Sequence, residues 1–137
     1  MTIPTQLSLV AFIASTPELH FLSDGKARFY ARIGVEHFRK EVDGSFTKLD
    51  PSFHDMVIFE KTAETAYARL RKGDVFVASG YIHEYDGSRN GETIIREEFV
   101  ARRIGHDMQR CAYEVARRQV EAPDSVPTPA PQPAVGM

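Results

Sequence analysis

Residues 52–81, SFHDMVIFEKTAETAYARLRKGDVFVASGY, hold the pattern from which the rest of the chain can be read. Phe53–Glu60 reads as a strand. Thr62 can cap a helix whose apolar positions are Ala63, Ala66, Tyr67 and Leu70, at helical spacing. Gly73 follows the last turn and suits a left-handed stop. Val75–Tyr85 then reads as a second strand. A short helix therefore joins two strands within about thirty residues, a connection suited to one small β domain.

Working outward, Thr5–Ala14 is β-rich and apolar on both faces, as in a strand buried in the domain or covered by a partner chain. Ser15–Gly25 carries Pro17, Ser23, Asp24 and Gly25 and reads as a loop. Lys26–Glu36 alternates strictly, with Ala27, Phe29, Ala31, Ile33 and Val35 on one face and Arg28, Tyr30, Arg32 and Gly34 on the other. The apolar set must face a core, which leaves a tyrosine between two arginines on an open surface. Lys40–Pro51 contains Asp43-Gly44 and reads as a hairpin loop. Arg89-Asn90-Gly91 marks a tight turn, and Thr93–Arg103 reads as a fifth strand. A short helix is expected over 107–118. Residues 119–137, rich in Pro and Ala, are expected to be disordered or PPII-like.

Five strands with one helix between the third and fourth is the order of an all-β OB-fold barrel, here over residues 1–106. An α+β sandwich would use similar elements, and periodicity alone does not separate the two.

Composition narrows the function classes. The chain has 137 residues, 42% hydrophobic and 26% charged, with no run long and apolar enough for a membrane helix and no basic leader segment. Cys111 is the single cysteine, so it forms no intrachain disulfide, and a reducing cytoplasm fits. The net charge is −2. Glu121 and Asp124 account for it, leaving residues 1–118 with 17 basic and 17 acidic side chains. Any attraction for phosphate must come from the arrangement of charge. The five histidines show no metal-ligand spacing, no cysteine pair is present, and neither a nucleophile motif nor a Gly-rich phosphate loop occurs, so no metal, cofactor or catalytic residue is expected. Asp55 and Glu60 lie five apart on a strand, facing opposite sides, which argues against a metal-dependent nuclease.

The aromatic residues carry the functional reading. Phe53 and Phe59 share parity on one strand. Tyr81 and Tyr85 share it on the next, around His83, and Phe38 lies beside Arg39 and Lys40. Every base has a π-face, so flat aromatics near cations make a sequence-tolerant platform for single strands. The competing reading assigns these aromatics to the core. Arg28 and Arg32, with Lys61 and Lys72 around the helix, can track a phosphate backbone, although Asp55, Glu60, Glu97 and Glu98 dilute the field.

These residues resemble bacterial single-stranded DNA-binding proteins across about residues 5–106. Leu9-Val10 begins the first strand, and Thr16-Pro17-Glu18-Leu19 resembles the family's D-P-E-[VL] turn. Phe53–Phe59 resembles its W/F-x-x-V-x-x-[FW] strand, Lys61-Thr62-Ala63-Glu64 its K-x-A-E helix start, and Leu70-Arg71-Lys72-Gly73 its L-x-K-G end. Gly80 resembles the glycine of its [VI]-x-G. The resemblance implies a non-catalytic homotetramer that binds and protects single-stranded DNA in replication, repair or recombination, in the cytoplasm on nucleoid or plasmid. It puts stacking on Phe38, Phe53, Phe59 and Tyr85 and phosphate contacts on Lys61 and Lys72. Val10-Ala11-Phe12-Ile13 departs from the family's V-G-N-L, and no acidic, Phe-ending tip is present, so recruitment of repair enzymes through the tail is not expected. An OB-fold assembly module with weak DNA affinity is the alternative.

Overall fold

The structure, a computed structural model, describes residues 2–118. The tail expected to be disordered, 119–137, lies outside the described residues. Six strands and one helix follow one another as β1 (Ser8–Ile13), β2 (Glu18–Phe21), β3 (Ala27–Lys40), β4 (Phe46–Phe59), α1 (Glu60–Arg69), β5 (Val75–Arg89) and β6 (Glu92–His106). The sheet order is β1-β5-β6-β4-β3-β2, and β1 also pairs with β3, which closes a five-stranded barrel with β2 as an outer flap. Every pairing is antiparallel except β4 with β6. This is the OB-fold expected from the element order, with the helix between the long strands β4 and β5.

Alternation builds the interior. Ala27, Phe29, Ala31 and Ile33 of β3 point inward and are buried, with Ala11 and Ile13 of β1, Met56 and Ile58 of β4, Phe76 and Ala78 of β5, and Phe99 and Ala101 of β6. Helix α1 lies against β3 and β4 and adds Ala63 and Ala66 to the same cluster, with Leu70 from the residue that caps its end. Tyr67, expected on this stripe, is instead 45% exposed. The helix and its cap bury a stripe at 63, 66 and 70, too narrow for a fourth, larger side chain.

Several boundaries differ from the sequence expectation. Glu18–Phe21, read as loop, pairs with Tyr30–Ala27 as β2. β3 and β4 run on as an arm to a turn at 41–45, so most of the expected hairpin loop is ladder. Along the arm, Val35–His37 covers two steps while Ser52–Leu49 covers three. The extra residue falls beside Pro51, which has no N–H to give the ladder.

Thr62 is not the helix cap. Phe59 takes the cap position without a side-chain bond, and Glu60 enters α1 at φ 64°, turning strand into helix within one residue. Gly73, at φ 97°, serves the turn into β5 rather than the helix stop; its N–H bonds Ile13 O at 2.8 Å. The helix expected over 107–118 does not form. Asp107 O instead accepts from the N–H groups of Arg110 and Cys111 in a single turn.

Candidate nucleic-acid interface

Paired residues on adjacent strands share a face, so the registers of β3, β4, β6 and β5 lay out the outside of the barrel in rows. One row runs Tyr30, Val57, Val100, Tyr81. The next runs Arg32, Asp55, Glu98, His83. On one side of them Arg28 pairs with Phe59, and on the other Gly34 pairs with Phe53 and Tyr85 with Arg96. Val57 and Val100 are buried, yet they stand apart from the interior cluster. They form an apolar floor between the two tyrosines.

A bulge aims a cation at this floor. One step from Ser79 to Gly80 matches two steps from Arg103 to Ala101, which leaves Arg102 as the extra residue of β6. Its guanidinium lies 5.0 Å from the centroid of the Tyr81 ring. An open groove lined by Phe59, Lys61, Tyr81, Val100 and Arg102 runs beside it. A residue with a side chain at position 80 would drive its Cβ into the carbonyl oxygen of Val100, so the bulge needs Gly80.

Of the residues singled out from the sequence, Arg28, Tyr30, Arg32, Phe53, Phe59, Tyr81 and Tyr85 share the outer face, and Lys61 adjoins it. Tyr85 stacks on His83, with ring centroids 5.7 Å apart. Phe53 is 48% exposed and meets the Phe12 ring edge-on at 6.3 Å. Phe38 stands farther out on β3, beside Val10, Phe12 and Arg110. Lys72 is not gathered in; it sits in the turn beyond α1, against the end of β1.

The charges are paired in a way the sequence did not show. Arg32 Nη1 donates to Asp55 Oδ1 at 2.9 Å, and the Tyr30 hydroxyl donates to the same oxygen at 2.7 Å. Arg28 lies 3.9 Å from Glu98, whose other oxygen is 3.0 Å from His83 Nδ1. Burial and the bond to Asp55 push the Tyr30 phenol up to about 12. Burial opposes ionisation of Asp55, but the hydrogen bonds from Tyr30 and Arg32 and the Arg32 charge outweigh it, holding the carboxyl below its ordinary value. Lys61 and Arg102 form no ion pair among the described residues. With Arg96, which also lacks an ion pair there, they are cations open to an anionic ligand.

Arg102, at the end of the last strand, is among the basic residues the sequence offers for a phosphate backbone, whereas Phe12, Val57 and Val100 were not singled out. Val57 shares parity with Phe53 and Phe59, and Val100 with Glu98 and Arg102, so alternation held that signal. Phe12 had none, because its place depends on lying over Gly34, a pairing between distant residues.

The fold agrees with known proteins. The small single-stranded DNA-binding protein of Streptomyces coelicolor superposes with a TM-score of 0.67 at 23% identity, over 78% of this chain and 97% of that one. A Plasmodium falciparum SSB solved with ssDNA gives 0.61 at 14% identity, over 77% and 96%. A deletion mutant of the Thermus aquaticus single-stranded DNA binding protein gives 0.60 at 17%, over 72% of this chain and 48% of that one. These likenesses establish the barrel. No curated protein sequence matches. The profile of the Single-strand binding protein family matches residues 4–107, most of the chain, and the chain belongs to that family.

Proposed function

We propose that this protein binds and protects single-stranded DNA of any sequence, without acting on it chemically. The observation that carries this is the continuous outer face on which Tyr30, Phe53, Phe59, Tyr81 and Tyr85 surround an apolar floor, with Lys61 and Arg102 at its edge. Bases stack on the rings and phosphates meet the cations. Phe38 extends the path onto the arm, while Lys72 would contact only a strand that continues around the helix end. Arg28, only 3.9 Å from Glu98 and not hydrogen-bonded to it, contributes by exchanging that carboxylate for phosphate, while Arg32 stays bonded to Asp55 and orients it.

Replacing Phe53 and Phe59 together by Ala tests the reading. Each lost stack is worth ~1–3 kcal/mol, so affinity should fall by at least about tenfold while circular dichroism stays unchanged. Unchanged affinity would sink the stacking assignment. It would favour the second reading, an assembly module with weak DNA affinity, for which the pairing of Arg28 and Arg32 with carboxylates speaks.

The domain, residues 1–106, would act as a homotetramer in the cytoplasm, on nucleoid or plasmid, in replication, repair or recombination. Support for self-association is the apolar outside of β1 and β5, where Val10 and Val77 face one another and stay exposed. A monomer by sedimentation at micromolar concentration would contradict it. Among the described residues no helix is long and apolar enough to cross a membrane.

A further inference from the structure

The row Arg32–Asp55–Glu98–His83 places two carboxylates on neighbouring strands, about 4.8 Å apart in backbone spacing, within the outer face. Each has one oxygen committed. Asp55 Oδ1 accepts from Tyr30 and Arg32. Glu98 Oε2 pairs with His83, and Glu98 Oε1 lies 3.9 Å from Arg28, beyond hydrogen-bond reach. Asp55 Oδ2 and Glu98 Oε1 thus have no hydrogen-bond partner among the described residues. Neither is sealed from solvent, since no buried side-chain oxygen there lacks a partner.

A phosphate gains nothing from the two carboxylates themselves, which offer it no donor and whose charges are already answered by Arg32 and Arg28. A base edge can gain. An ionised carboxylate only accepts hydrogen bonds. Cytosine presents an amino group at C4 and adenine one at C6, whereas uracil and thymine present a carbonyl oxygen at C4. Carboxylates accept from cytosine N4 in base readout elsewhere. The bonds from Tyr30 and Arg32 fix the Asp55 carboxylate in place, so its acceptor is set before a strand arrives.

Resting on the reading of the outer face as a single-strand platform, we propose that Asp55 and Glu98 select base edges bearing an exocyclic amino group. The protein then binds cytosine-rich strands more tightly than uracil- or thymine-rich ones. Affinity for every sequence remains, because stacking supplies it; the carboxylates set the ranking.

The test compares the full chain on oligo-dC and oligo-dU of equal length, above neutral pH so that cytosine N3 carries no proton. Neither base has a 5-methyl group, so the comparison isolates the edge. The expected result is at least about fivefold tighter binding to oligo-dC, the lower end of discrimination by one good base contact. Glu98→Gln and Asp55→Asn should each shrink that ratio, chiefly by raising affinity for oligo-dU, because an amide N–H can donate to the C4 carbonyl. Glu98→Gln leaves the Tyr30–Asp55–Arg32 bonds intact and serves if Asp55→Asn unfolds. Equal affinities in the unmodified protein would overturn the proposal while leaving single-strand binding standing. So would variants that raise both affinities alike, since the carboxylates would then only repel phosphate. Binding to neither oligonucleotide would overturn the proposed function along with it.

Discussion

Tyr30 and Asp55 show how single residues tie the fold to its surface. The phenol donates to a carboxylate that also holds Arg32, and both partners gain from keeping the proton on Tyr30. The folded-state pKa of Tyr30 is raised, so its contribution to stability is complete below the ordinary 10.0 and is lost as pH rises toward about 12. Asp55 is depressed, so its contribution is complete above its ordinary 3.8 and is lost as pH falls through the lower folded value. Tyr30→Phe should cost about 1 kcal/mol at neutral pH, reduced toward the lower range by partial solvent access. That difference should close between the ordinary and the raised phenol value. Urea unfolding of both proteins across alkaline pH checks this; a difference that stays constant there would contradict the assigned bond. Alternation over Ala27–Val35 already put Tyr30 on the outside, because a period of two is a local property. The partners of Arg28 and Arg32 were not legible, because they sit on strands whose register is set by distant pairing.

At the scale of elements, the β5–β6 ladder and its bulge position Arg102 over Tyr81. Gly80 makes the bulge feasible by leaving room for the Val100 carbonyl. Gly80→Ala should destabilise the domain by about 1–3 kcal/mol or more, the cost of overpacking against backbone. It should also lower affinity for single strands by moving Arg102. Denaturant melts with an oligonucleotide titration read both effects, and a stable variant with unaltered affinity would remove the bulge from the account. The strand–helix–strand order was legible from Phe53 to Tyr81, because apolar spacing changes period between strand and helix. The helix entrance was not. Sequence favoured Thr62 as cap on residue type, but the chain turns at Glu60, where the barrel closes on the helix. The expected helix over 107–118 does not form; its start is tied to the first residue of β5 instead, through Asp107 N–H and the Cys111 thiol on Val75 O.

For the whole molecule, closure of the barrel through β1 and β3 separates two apolar sets. One fills the interior, and the other, Val57 and Val100, floors an outer face edged with rings. Net charge hid this arrangement. Residues 1–118 are neutral in sum, while cations and carboxylates are sorted into rows across the face. Membership of the family was legible from the order of weak motifs, since each marks a turn, a helix start or a strand that this barrel requires.

The most direct test of the central claim is a titration of the protein's tyrosine fluorescence with a mixed-sequence single-stranded oligonucleotide at several salt concentrations. The chain has no Trp, and three of its five tyrosines, Tyr30, Tyr81 and Tyr85, stand on the face, so a bound strand quenches the signal through the proposed platform. The account predicts saturable quenching, with log affinity falling against log salt by about 0.7 per phosphate contacted. Absence of quenching and of binding at low salt would contradict it.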